Sequence, residues 1–88
     1  MSPNEVLAEA DRHFGAVLEQ TESGERSRTF VGIIGRIALA VQAEGGHYTL
    51  VTVSTDQPGE SEADKLAKRF LAVVHTHKHA EHEVRGAY

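Results

Sequence analysis

The sequence predicts a single small α+β domain of order α-β-β-α, in which two amphipathic helices pack on a small antiparallel β-hairpin sheet. Three observations predict it. A helix-capping signal opens an apolar stripe near the N-terminus, and a second one opens another stripe in the last third of the chain. Between them lie two apolar runs that Gly45-Gly46 separates.

The first helix begins at Ser2-Pro3-Asn4-Glu5. The Ser2 hydroxyl can accept from the Glu5 amide, the Glu5 carboxylate can reach back, and Pro3 loses no useful donor at the first helical position. Val6, Ala10, Phe14, Val17 and Leu18 then recur at helical spacing. This helix is expected to fade near Gln20, with Thr21 to Arg28 as a polar linker.

Tyr48 to Thr55 is dense in β-branched residues and predicts a strand. Thr29 to Ala43 fits two periods. Phe30, Ile33, Ile34, Ile37 and Val41 suit a helix, so residues 29–44 as helix are the alternative, giving a mostly α protein. Ile33, Gly35, Ile37, Leu39, Val41 and Ala43 suit the inward face of a strand, with Glu44 to His47 as a hairpin turn. Two glycines inside the run cost a helix about 1 kcal/mol each, which favours the strand. Two strands alone make a marginal sheet, so pairing between two subunits in a homodimer is expected to complete it.

The last helix follows Pro58-Gly59, with Ser61 and Asp64 as a second capping box. Acidic residues crowd its start and His, Lys and Arg its end, as the helix dipole favours. Leu66, Phe70, Val73, Val74 and Val84 define its buried stripe if it runs on through the histidines.

Composition narrows the function classes. Eighty-eight residues support one core, so 1–88 is one domain. The absence of cysteine removes disulfides and thiolate metal sites and fits a reducing compartment. No basic-then-apolar leader opens the sequence, and its longest apolar run, interrupted by Arg36, is too short to span a bilayer. A soluble, cytoplasmic protein is therefore expected. A net charge of −4 argues against nonspecific nucleic-acid binding and suits a protein partner with a basic surface. Six histidines would carry that charge through zero near about pH 6, which also permits a pH-responsive binder.

The candidate chemistry sits at the end of the last helix. His75, His79 and His82 fall at i, i+4 and i+7, in one sector with Asp64 and Lys68. Imidazoles so spaced can bind zinc, nickel or copper. His77 falls instead in line with Leu66 and Phe70, as a packed core residue would. Glu5, Glu9 and His13 share a face of the first helix, explained by solvation and helix pairing as well as by a metal.

Thr76-His77-Lys78-His79-Ala80-Glu81-His82 resembles the T-H-x-H-x-D-H metal motif of metallo-β-lactamase-like hydrolases, although Glu81 stands where that family has aspartate. The resemblance covers about ten residues and implies a zinc-activated water on a motif that follows a strand. The capping signal at Ser61 instead makes Phe70 to Val74 a helix. Gly32-Ile33-Ile34-Gly35 is similar to the GXXG loop of KH-type RNA-binding domains. Its two isoleucines belong in a core, which leaves the glycines to bend a strand or admit another backbone.

With no phosphate cradle and no nucleophile elbow, the residues favour a small non-enzymatic interaction module: an inhibitor, adaptor or regulator. A divalent-metal-binding or metal-sensing protein using the histidine-rich helix is the alternative.

Overall fold

The computed structural model describes residues 2–44, 48–75 and 80–85. It is an α+β domain in which helix α1 (Pro3–Gly15) is followed by strands β1 (Glu19–Ser23), β2 (Ser27–Gly32), β3 (Gly35–Glu44) and β4 (Tyr48–Thr55). Helix α2 (Glu62–His75) and strand β5 (Ala80–Arg85) complete it. The five strands form one sheet in the order β1-β2-β3-β4-β5. The first four are antiparallel neighbours and β5 runs parallel to β4, with α2 as the crossover.

Helix α1 starts where the capping box places it. Ser2 Oγ accepts from the Glu5 amide at 3.2 Å and Glu5 Oε1 accepts from the Ser2 amide at 3.0 Å. The helix stops at Gly15, five residues before the expected end. The Phe14 carbonyl accepts from both Val17 N (3.0 Å) and Leu18 N (2.7 Å), closing a turn that sends the chain into β1. Leu18 is buried by that turn, whereas Val17 is exposed and leaves the apolar stripe.

The expected linker Thr21 to Arg28 is a hairpin instead. Its sequence has no apolar alternation because every residue of β1 is exposed, so hydrophobic period gave no signal. The hairpin is held by polar chemistry. Gly24 N donates to Ser27 O at 3.0 Å, and Arg28 Nη1 donates to the carbonyls of Gly24 (2.6 Å) and Ser27 (2.8 Å). The same guanidinium reaches α1 through Nε, 3.1 Å from Asp11 Oδ1, which also accepts from Gln20 Nε2 at 2.7 Å.

For Thr29 to Ala43 the structure decides for strand and overturns the helical alternative for 29–44. β3 and β4 pair from Ile37↔Thr55 to Glu44↔Tyr48, which is the expected hairpin; of the turn expected at Glu44 to His47, residues 45–47 lie outside the described ones. The run is two strands, broken by a turn at Ile33-Ile34. Ile37, Leu39 and Val41 are buried as expected. Ile33 is fully exposed at the turn, a correction to its place on the inward face, while Ile34 packs partly against the core. The glycines explain the turn. Gly35 holds φ at 127°, open to glycine alone, and a Cβ on Gly32 would come within 2.6 Å of Leu18 Cδ2.

In α2 the capping box forms in altered shape. Ser61 Oγ accepts from Asp64 N at 3.2 Å, but the Asp64 carboxylate bonds Glu60 N (3.1 Å) rather than Ser61. Ser61 N donates instead to Pro58 O at 3.3 Å. Glu60 turns through a positive φ of 70° to permit this. The helix expected to continue through the histidines ends at His75, and residues 80–85 form a strand beside β4. Val84 therefore belongs to β5 rather than to the stripe of α2.

Both helices lie on one face of the sheet. Their buried residues, Val6, Leu7, Ala10 and Phe14 from α1 and Leu66, Ala67, Phe70, Leu71 and Val74 from α2, meet Phe30, Ile37, Leu39, Val41, Val51 and Val53. At the centre Phe14 touches Phe30 (5.3 Å between centroids) and Phe70 (4.9 Å), the tilted geometry that aromatic quadrupoles favour. One chain supplies five strands by itself, so the argument that a marginal two-stranded sheet calls for a second subunit does not apply. No helix among the described residues is long and apolar enough to cross a membrane.

Candidate binding face of the sheet

Strand alternation sends every second residue to the face opposite the helices, and the cross-strand register arranges those residues in rows. One row runs Glu22–Thr29–Ala38–Ser54 and the next Ser27–Ala40–Thr52. A third runs Glu19–Val31–Arg36, and a fourth pairs Gln42 with Leu50. Across β2, β3 and β4 the floor at the centre is therefore alanine, serine and threonine, and beyond it β5 sets Glu83 in register with Thr52 and Arg85 with Ser54. Among the described residues neither helix covers this face.

The small floor leaves a depression of about 230 Å³ lined by Ser27, Thr29, Ala38, Ala40, Thr52 and Ser54, together with Arg28 and Leu39. A second hollow of about 90 Å³, lined by Arg36, Ala38, Ser54, Thr55 and Asp56, shares Ala38 and Ser54 with it. The two make one shallow track across β2, β3 and β4. Each is smaller than the roughly 300–1,000 Å³ of clefts that enclose a small-molecule ligand. Val31 at the edge of the face is exposed, as are Val17 and the turn residue Ile33.

One end of the track is fixed by Asp56. Its Oδ1 accepts from Arg36 N (3.0 Å) and from Gln57 Nε2 (3.0 Å), pinning the start of β3 to the end of β4. The bond from the Arg36 amide, then that from Gln57, holds the Asp56 carboxyl below its ordinary pKa.

The residues singled out for chemistry in the sequence have separate fates. His75 is the last residue of α2, His82 stands on β5 in register with Val51, and residues 76–79, which include His77 and His79, lie outside the described ones. The continuous helical face that would group His75, His79 and His82 does not extend past His75. Asp64, in the same helical sector by its spacing, is fully buried and paired with Lys68 Nζ at 2.8 Å. The hydrolase-like motif follows helix α2, not a strand, which removes the context its resemblance implies. Among the described residues no three His, Asp or Glu side chains are grouped as a metal ion would need.

On α1, Glu5 serves the cap and Glu9 pairs with Arg12 at 3.0 Å. His13 lies against Phe14 and Phe70, with centroids at 5.2 and 5.7 Å, and its Nε2 is buried without a hydrogen-bond partner. An unpartnered buried polar atom costs about 1–3 kcal/mol. His13→Leu, which keeps the bulk and removes that nitrogen, is therefore expected to raise Tm by roughly 4–8 °C in a thermal melt. A lower Tm would show that the nitrogen is satisfied.

This face was not legible in the sequence because Ala38, Ala40, Thr52 and Ser54 are unremarkable residues singly, and only register makes them one surface. No protein-family model, curated protein or solved structure matches this chain.

Proposed function

We propose that this protein is a non-enzymatic interaction module, a cytoplasmic inhibitor, adaptor or regulator that binds a protein partner through the helix-free face of its sheet. The observation that carries this reading is the helix-free, half-buried Ala/Ser/Thr floor beside the exposed Val31. Exposed apolar residues next to a flat, uncharged floor can be buried by a partner at little desolvation cost. The acidic side chains support it too. Glu5, Glu9, Asp11, Asp56 and Asp64 are each engaged in capping, turn, intrahelical or helix–sheet bonds, which gives them structural work rather than catalytic roles.

Ala40→Arg tests the reading by placing a long charged side chain at the centre of the floor. Ala40 is exposed, so the melting curve is expected to stay within about 0.5 kcal/mol of the parent. Proteins cross-linked to the parent chain in its native lysate are expected to be lost from the variant. Capture of the same proteins by both chains would overturn the assignment of this face.

A further inference from the structure

We infer that β1 is a releasable strap, clasped to α1 by the bond between Gln20 and Asp11. It opens as a unit of its own while the rest of the sheet stays folded, and its release bares the outer edge of β2. β2, β3 and β4 each send large side chains into the core, whereas all five residues of β1 are exposed. Opening β1 therefore breaks backbone bonds and a few polar contacts without uncovering its own apolar surface. Segments with few buried apolar contacts and solvent-exposed backbone bonds open locally, at free energies below that of global unfolding. The ladder that holds β1 is also short and broken. It pairs with β2 at four positions, with a register shift between Gln20 and Glu22, while β2 pairs with β3 at six positions and β3 with β4 at eight, all in unbroken register.

Two side-chain bonds fasten β1 to its surroundings. Gln20 Nε2 donates to Asp11 Oδ1 at 2.7 Å, and Thr21 Oγ1 donates to Thr29 O at 3.4 Å. Asp11 Oδ1 also accepts from Arg28 Nε at 3.1 Å, a bond that ties β2 to α1 whether or not β1 is in place. Both ends of the strap are fixed independently. Leu18 is buried with its amide bonded to Phe14 O, and Arg26 O accepts from Val41 N at 2.9 Å. The segment between them can lift while its ends stay seated. What the release bares differs from what covers it. β1 is acidic and bulged, two features that discourage the addition of a further strand. β2 carries Thr29, Phe30 and Val31, residues suited to strands, and with β1 lifted its outward N–H and C=O groups become the free edge of the sheet.

Native-state hydrogen exchange on the whole chain tests this, followed amide by amide by NMR in low concentrations of urea. In an antiparallel strand such as β2, alternate amides bond to the two neighbours, so the two sets report separately. Amides of β1, and those of β2 that bond to β1, are expected to exchange together, roughly a hundredfold or more faster than those of β3 and β4. Their rate is expected not to respond to urea, because local opening exposes little surface. The β2 amides that bond to β3 are expected to stay protected. Gln20→Ala is expected to speed exchange of the first group roughly three- to tenfold and to leave β3 and β4 unchanged. Equal protection across β1 to β4 would overturn the inference. So would loss of protection throughout β2, since the whole β1–β2 hairpin would then be the opening unit. A Gln20→Ala effect shared by β3 and β4 would show that β1 opens only with the fold, and no effect at all would remove the Asp11 bond as its clasp.

Discussion

Phe14→Ala is expected to lower Tm by roughly 15–30 °C and to leave little stability at 37 °C, as followed by circular dichroism. All three phenylalanines of the chain, Phe14, Phe30 and Phe70, are fully buried, and Phe14 touches both of the others. It therefore joins α1, β2 and α2 at a single point. Removing a buried phenyl ring costs about 3–5 kcal/mol, because the transfer energy is lost and the cavity only partly collapses. A domain of this length holds roughly 4–13 kcal/mol in total, so the loss is a large share of it. Ile33→Ala is the matched control. Its side chain is fully exposed at the β2–β3 turn, and the change is expected to stay within about 0.5 kcal/mol. A Phe14→Ala chain that melts within a few degrees of the parent would mean that the two helices are not packed through this ring.

The parts of the fold that could be read from the residues are those written in apolar period or capping chemistry. The Ser2/Glu5 box, the stripe of Val6, Ala10 and Phe14, and the β3–β4 hairpin all appear where the sequence put them. What could not be read was written in another code. β1 has no buried side chain, and Arg28 and Asp11, seventeen residues apart, hold its hairpin in place. Long-range polar bonds of that kind have no periodicity. The break at Gly32-Ile33-Ile34-Gly35 was disguised by isoleucines, which signal a core even when a turn exposes one of them. Extending α2 through the histidines failed for a related reason. Composition and dipole both allowed a longer helix, whereas the edge of β4 offers residues 80–85 a full ladder of backbone partners.

The candidate face was the least legible feature. Sequence reasoning sought chemistry in the histidines, because side chains that can ligate or titrate announce themselves singly. The shared face of Ala38, Ala40, Thr52 and Ser54 exists only once three strands are in register. The register places two acidic residues, Glu19 and Glu22, on β1 at one edge of the sheet.

Asp64→Ala is expected to be the most damaging polar substitution, lowering Tm by roughly 5–10 °C. Asp64 is fully buried at the start of α2, where its Oδ2 accepts from Glu60 N and pairs with Lys68 Nζ, while Oδ1 has no hydrogen-bond partner. The carboxylate thus holds the left-handed turn at Glu60 against the first turn of the helix. Without it, the Glu60 amide loses its acceptor just where the backbone is least favourable. Asp64→Asn keeps the shape and one acceptor but gives up the charge, so its Tm is expected to fall between those of the parent and of Asp64→Ala. The pH dependence separates charge from shape. The bond to Lys68 first, then that from the Glu60 amide, lowers the Asp64 pKa, and Asp56 is lowered by its bond from the Arg36 amide. In both cases the unfolded chain takes up the proton first. The stability they contribute is therefore complete above their ordinary pKa of about 3.9 and is lost as pH falls through the lower folded values. Melts from pH 7 down to about pH 2.5 are expected to show a smaller acid loss in Asp64→Asn than in the parent, with the remainder reporting Asp56. Parallel curves for the two proteins would show that the Asp64 carboxylate acts through its shape alone.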